Sequence, residues 1–176
     1  MANNLKFESQ KLGTWYFTVA AILFGAQLLF GLLAATQFVF PGFLFEVLDF
    51  NVTRMVHINA LVVWLLYAMI GSVYYIMPDE TGIETVGIGI AKILFGVLTL
   101  AVTIVVVVYI FVQVGPAEQS TIWLITEGRE YIEAPRWADI GIVVVVLGFV
   151  ANVYLTAIKG ERTGIMTVIM ADILAL

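Results

Sequence analysis

The chain has 176 residues, a formal net charge of −5, no cysteine, and a composition that is 62% hydrophobic and only 12% charged. Soluble domains are about half apolar and about a quarter charged, so a water-soluble core of this size would not bury so many apolar side chains. The negative charge argues against nucleic-acid binding, and the lack of cysteine excludes disulfides and thiolate metal sites. The composition therefore predicts an all-α integral membrane protein whose helices are in contact with a lipid bilayer.

Four apolar stretches have the length of a membrane-crossing helix, which needs roughly 20 mainly apolar residues. In chain order they cover residues 15–40, 56–77, 88–114 and 140–158. Pro41 and Pro78 follow two of these stretches and indicate that the helices end there. The sequence therefore predicts a single transmembrane region, 1–176, with outer loops at 41–55 and 115–137.

A fifth apolar segment covers residues 163–176. At about 1.5 Å per residue it reaches only about 20 Å, short of a hydrocarbon core of about 30 Å. We expect it to be the start of a fifth helix, and the chain to be the first part of a larger bundle. Asp172 within this segment would be costly in hydrocarbon unless paired, which indicates either a proton route or an interhelical hydrogen bond.

Lysine and arginine predict the orientation of the chain, because cytoplasmic loops carry the excess of these residues. With a cytoplasmic N-terminus, the inner segments carry Lys6, Lys11, Lys92, Lys159 and Arg162, and the outer segments carry Arg54, Arg129 and Arg136. The bias is modest, but both short inner loops agree with it. We therefore expect a multi-pass protein whose N-terminus lies in the cytoplasm.

His57 is the only histidine of the chain, about one turn inside the outer end of the second apolar stretch, with Arg54 three residues earlier. One interpretation is an interfacial imidazole that is hydrogen-bonded to a loop. The other is an axial ligand of haem iron, because neutral imidazole is a common haem ligand and ionisable groups inside membrane helices tend to be functional. A single histidine cannot fill both axial positions, so the second ligand would come from elsewhere.

The second outer loop contains a cluster of three glutamates with an arginine beside them: Glu127, Arg129, Glu130 and Glu133. Carboxylates and backbone carbonyls are the ligands that calcium prefers. An arginine can bind a carboxylate, such as a haem propionate, through two parallel hydrogen bonds. A solvated loop with internal salt bridges accounts for the same composition, so both interpretations stay open at this point.

Several stretches of the chain carry a resemblance to one known family: 4–11, 50–59, 63–66, 128–135 and 141–144. Together they resemble the catalytic large subunit of bacterial nitric oxide reductase, of the cytochrome c-dependent branch of the haem-copper oxidase superfamily. The resemblance covers essentially the whole chain but well under half of the family's subunit. It implies that the chain forms the N-terminal part of a bundle of about a dozen helices.

The resemblance also implies cofactors and site residues. His57 would be one axial ligand of a low-spin haem b, and Glu130 would bind a calcium ion that bridges two haem b groups through their propionates. Arg129 and Arg54 would contact propionates, and Glu133 would shape the polar network around them. In the full-length protein, a high-spin haem b and a non-haem iron would reduce two NO to N2O and water. The ligands of these centres would lie beyond this sequence, so no catalytic residue is assigned within it.

The family implies a membrane-anchored cytochrome c subunit as electron donor, nitric oxide as substrate, and a location in the bacterial cytoplasmic (inner) membrane. Quinol-fed relatives usually carry a long extension before the first helix, and its absence before Trp15 favours cytochrome c. Two alternatives remain. One is a non-catalytic membrane scaffold paralogue, and the other is a related enzyme that disproportionates NO or takes electrons from quinol.

Overall fold

The computed structural model describes residues 5–111 and 134–175. Within these ranges the chain is all-α, and its helices are α1 (Glu8–Val39), α2 (Phe50–Thr81), α3 (Ile88–Phe111), α4 (Arg136–Lys159) and α5 (Gly164–Ala175). The first four are long and apolar enough to cross a membrane, and α5 is a shorter apolar helix. The predicted fold class, four membrane-crossing helices followed by a shorter fifth one, is confirmed.

The antiparallel pair α1–α2 forms the centre of the fold. On α2, the residues Thr53, Ala60, Tyr67 and Tyr74 recur every seven positions and are all buried. Tyr16 of α1 packs against this stripe, with its ring centroid 5.4 Å from that of Tyr67 and 5.9 Å from that of Tyr74. Because lipid gives apolar helices little hydrophobic drive to associate, such close packing is what holds the pair together.

Two glycines let the backbones of α1 and α2 approach each other closely. A Cβ added at Gly13 would lie 2.8 Å from the carbonyl oxygen of Gly71, and a Cβ added at Gly71 would lie 2.8 Å from Cβ of Tyr16. Real Cβ atoms essentially never approach a neighbour so closely. Small residues at such crossings are typical of membrane helix pairs. A side chain at either position would therefore force the two helices apart.

Helix α2 is longer at both ends than the apolar stretch within it. The side chain of Asp49 accepts a hydrogen bond from the N–H of Val52 at 2.9 Å, which caps the helix so that it begins at Phe50. Residues 50–55, expected to be part of an outer loop, are therefore helical. At the other end the helix does not stop at Pro78 but continues to Thr81, and the left-handed Gly82 (φ 71°) ends it. Membrane helices tolerate an internal proline when neighbouring groups satisfy the freed backbone.

Polar contacts tie the helices together at the end of the bundle where α1 begins, which we call the basic end. Glu84, in the α2–α3 connection, accepts hydrogen bonds from the N–H groups of Glu8 (2.6 Å) and Ser9 (3.1 Å). A carboxylate at a helix N-terminus also interacts favourably with the helix dipole. Glu8 in turn forms ion pairs with Lys11 (2.6 Å) and Lys92 (3.0 Å), so α1 is linked to α3.

Asn152 of α4 joins three parts of the fold near the same end. Its Nδ2 donates to the carbonyl oxygen of Val86 at 2.6 Å, and its Oδ1 accepts from the hydroxyl of Tyr74 at 3.3 Å. The N–H of Val86 donates to Oγ1 of Thr156, one helical turn further along α4, at 2.9 Å. Helix α4 is therefore held to α2 and to the α2–α3 connection by the buried side chains of Asn152, Thr156 and Tyr74.

Candidate haem-ligand site

His57 lies on α2 and its imidazole is directed at α1. Its Nδ1 is 2.7 Å from the carbonyl oxygen of Gln27, in the middle of α1. A carbonyl only accepts hydrogen bonds, so Nδ1 carries the hydrogen, and in the neutral ring Nε2 then has the free lone pair. Within the described ranges the structure gives Nε2 no hydrogen bond. The ring is half-buried.

Gly31 provides the space that this imidazole occupies. A Cβ added at Gly31 would lie 2.7 Å from both Cε1 and Nδ1 of His57. Gly31 follows Gln27 by four positions in an uninterrupted helix, so its N–H donates to the same carbonyl that accepts from His57. A carbonyl oxygen has two lone pairs and can accept both hydrogen bonds. Any side chain at position 31 would push the ring away from this carbonyl.

Two residues that follow His57 at seven-residue intervals, Trp64 and Gly71, lie on the same side of α2. The Trp64 ring meets Phe24 of α1 edge-on, with the centroids 5.1 Å apart, and Gly71 is in contact with Gly13. The buried Nε1 of Trp64 has no hydrogen-bond partner in the part of the chain that the structure describes. His57, Trp64 and Gly71 therefore form a second row of α2 residues that contacts α1. Their seven-residue spacing is visible in the sequence.

An apolar cavity of about 340 Å³ lies between α1, α2 and α3, next to the helix turn that carries His57. Its walls include Phe30 from α1, Val56 and Ala60 from α2, and Val106 from α3. Val56 directly precedes His57 in the chain. His57 itself is not among the residues that line this cavity.

The other predicted site residues are placed as follows. Arg54 lies on α2 one turn before His57 and is half-buried. Arg129, Glu130 and Glu133 lie outside the described residues, so their contacts with propionates and calcium stay predictions. Asp172 lies on α5 with its side chain exposed.

The donor set of the described residues fits one axial position of a haem. No group of three or more His, Cys, Asp or Glu side chains that could hold a metal ion occurs within 5–111 and 134–175. A porphyrin would supply four ligands of a haem iron and leave two positions. One imidazole from this segment would fill one of them, and the other ligand would come from elsewhere. A histidine with Nδ1 donating to a backbone carbonyl is the usual arrangement for a metal-binding imidazole. His57 has this arrangement. Gly31 allows it because it has no side chain that would collide with the imidazole ring.

Sequence reasoning singled out His57 but not the two residues on α1 that contact its ring. A backbone carbonyl such as that of Gln27 has no sequence signature, because every residue carries one. Gly31 had a weak signal, since a glycine inside a membrane helix often marks a close contact with another helix.

The described helices define a multi-pass membrane protein whose single histidine has Nδ1 within hydrogen-bond distance of a backbone carbonyl in the first helix pair. Residues 11–175 match the family described as cytochrome c and quinol oxidase polypeptide I, and the chain belongs to this family. It is also 43% identical, over 175 residues, to the nitric oxide reductase subunit designated B of Stutzerimonas stutzeri. That alignment covers 98% of this chain and 37% of the relative, so the chain spans little more than a third of the relative's length. The resemblance to the reductase large subunit is confirmed.

Proposed function

We propose that this chain is the N-terminal part of a nitric oxide reductase catalytic subunit, in which His57 is one axial ligand of a low-spin haem b. The observation that carries the proposal is the 2.7 Å contact between Nδ1 of His57 and the Gln27 carbonyl, which leaves Nε2 as the ligand nitrogen. The 43% identity to a nitric oxide reductase subunit supports the reaction. In the full-length protein, two NO, two electrons and two protons would give N2O and water.

A bound haem b supplies one-electron transfer, and the residues of this chain would hold it in place and orient its ligand. The hydrogen bond from Nδ1 fixes the rotation of the imidazole and raises the basicity of Nε2. The role of this segment is therefore electron entry, while the catalytic iron centre is supplied by the rest of the subunit.

The proposal extends to the charged residues near the propionates. Arg54 would contact a propionate, which is supported by its position one turn from His57. Arg129 would contact another, Glu130 would bind the bridging calcium, and Glu133 would complete the polar network. These three roles rest on the sequence resemblance alone.

The orientation proposed from the charges, with a cytoplasmic N-terminus in the bacterial inner membrane, is supported by the position of the basic residues. Lys11 and Lys92 both bind Glu8, at the basic end of the bundle. Lys159 and Arg162 flank Glu161, whose N–H donates to the carbonyl of Thr81 at the end of α2. The inner segments therefore meet at one end. A membrane-anchored cytochrome c subunit on the opposite side would deliver electrons, and nitric oxide would be the substrate.

The test is the optical spectrum of the purified full-length protein, with and without His57. Wild type should show low-spin haem b, and His57→Ala should lose it. Val62→Ala, on the same helix with a 59% exposed side chain, should keep it and serves as the control. NO consumption, followed with an electrode, should fall with the haem signal. A full-length protein that binds no haem would instead support the non-catalytic scaffold.

A further inference from the structure

We propose that α1 positions the haem ligand: the Gln27 carbonyl fixes the tautomer of His57 and lowers the reduction potential of the haem, and Gly31 makes that contact possible. This inference rests on the proposed function, since it takes His57 to be the ligand. It assigns positioning residues to a helix that carries no metal-binding side chain of its own near the site.

The acceptor of this hydrogen bond is fixed. Nδ1–H of the half-buried His57 is directed at the backbone of α1 within the packed α1–α2 pair. The Gln27 carbonyl is held in place because it also accepts the helical N–H of Gly31. A fixed acceptor of this kind specifies one tautomer and one ring rotation.

The hydrogen bond also has an electronic consequence. Donation from Nδ1–H to a carbonyl increases the electron density on Nε2, which makes the imidazole a stronger donor to iron. A stronger donor stabilises ferric more than ferrous iron, so it lowers the reduction potential. Loss of the hydrogen bond should therefore raise the potential of this haem.

Gly31 is the residue through which the contact can be tested, because a backbone carbonyl cannot be removed by substitution. A Cβ at Gly31 would meet Cε1 and Nδ1 of His57 at 2.7 Å, so the ring or the helix must move. Gly25 lies on the same helix, and a Cβ there would meet nothing within 4 Å. Gly25→Ala therefore makes the same gain in helix propensity without the clash, and it is the matched control.

The experiment compares Gly31→Ala with Gly25→Ala in the full-length protein. Redox titration should give a higher midpoint potential for the low-spin haem in Gly31→Ala, and its electron paramagnetic resonance signal should change because the ring has turned. Haem retention should fall roughly 10- to 100-fold, the usual effect of losing a partner of a metal-binding histidine. Gly25→Ala should match wild type in all three measurements. A midpoint potential and spectrum equal to those of Gly25→Ala would overturn the inference.

Two further variants separate this inference from the proposed function. If His57→Ala keeps the haem, the proposed ligand is wrong whatever Gly31→Ala does. If His57→Ala loses the haem while Gly31→Ala equals its control, only the positioning role is wrong. Should Gly31→Ala fail to accumulate, the double variant with His57→Ala removes the ring that the added methyl group would meet. Restored accumulation of folded protein would support the contact, and a lack of restoration would contradict it.

Discussion

Gln27 and His57, thirty positions apart in the chain, meet through a 2.7 Å hydrogen bond between the backbone carbonyl of α1 and the imidazole of α2. The single histidine of the chain is therefore oriented by a neighbouring helix rather than by its own. We propose that this contact links the packing of the first two helices to the reduction potential of the haem. Substitutions at the contact should therefore change both properties.

Replacing His57 by methionine should keep an axial ligand but change the haem. A thioether is a weaker donor than imidazole, and an axial pair of methionine and histidine raises the reduction potential. We expect His57→Met to retain part of the low-spin haem b with a clearly more positive midpoint potential, measured by redox titration of the full-length protein. A midpoint unchanged from wild type would mean that position 57 does not ligate the iron.

The crossing of α1 and α2 should be sensitive to a single methyl group at Gly71. Alanine at this position would place its Cβ 2.8 Å from Cβ of Tyr16 and 3.2 Å from the Gly13 carbonyl, so the helices must separate. We expect a loss of about 1–3 kcal/mol, the usual cost of overpacking, seen as a lower unfolding temperature in detergent. Gly96→Ala, where a Cβ would meet nothing within 4 Å, should leave that temperature unchanged or slightly higher.

The hydroxyl of Tyr74 should contribute to the attachment of α4. Tyr74→Phe removes the 3.3 Å hydrogen bond to Oδ1 of Asn152 and leaves that oxygen without its partner. We expect a loss of about 1 kcal/mol in the free energy of unfolding. Tyr75→Phe, at a neighbouring position that is 37% exposed, is the control. Equal stability of the two variants would argue that the Tyr74–Asn152 contact is energetically neutral.

The calcium role proposed for Glu130 can be tested directly. Glu130→Gln removes a negative charge from a ligand set that prefers charged oxygens, so bound calcium should fall. Elemental analysis of the purified full-length protein measures this, and the haem spectrum should change with it. Glu118→Gln removes a carboxylate from the same loop and should leave the calcium content intact. Full calcium content in Glu130→Gln would disprove this assignment.

The fold class could be predicted from sequence because the bilayer imposes a length and a composition on each crossing helix. The ends of α2 could not, because they depend on local chemistry. Asp49 extends the helix backwards by capping it, and Pro78 is tolerated inside it, whereas an average proline stops a helix. The apolar stretch therefore predicted that a helix is present but not the residues at which it begins and ends.

Only one residue of the candidate site, the histidine, could be predicted from the sequence. His57 stood out because a single ionisable group inside an apolar helix is rare. Gln27 and Gly31 did not stand out, because their contribution is a backbone carbonyl and an absent side chain, and both act across a helix pair. Such contributions become visible only when the distance between the two helices is known.

The Gly13–Gly71 crossing and the Gln27–His57 hydrogen bond lie at two points along one helix pair. Together they fix the rotation and the axial position of α1 relative to α2. One inserted residue in α1 between Gly13 and Gln27 would rotate everything beyond it by about 100°. The Gln27 carbonyl would then face away from the imidazole while the glycine crossing stayed in place. Natural length variation in this part of the protein should therefore be confined to the connection at 40–48, and α1 itself should keep a constant length between its two contacts.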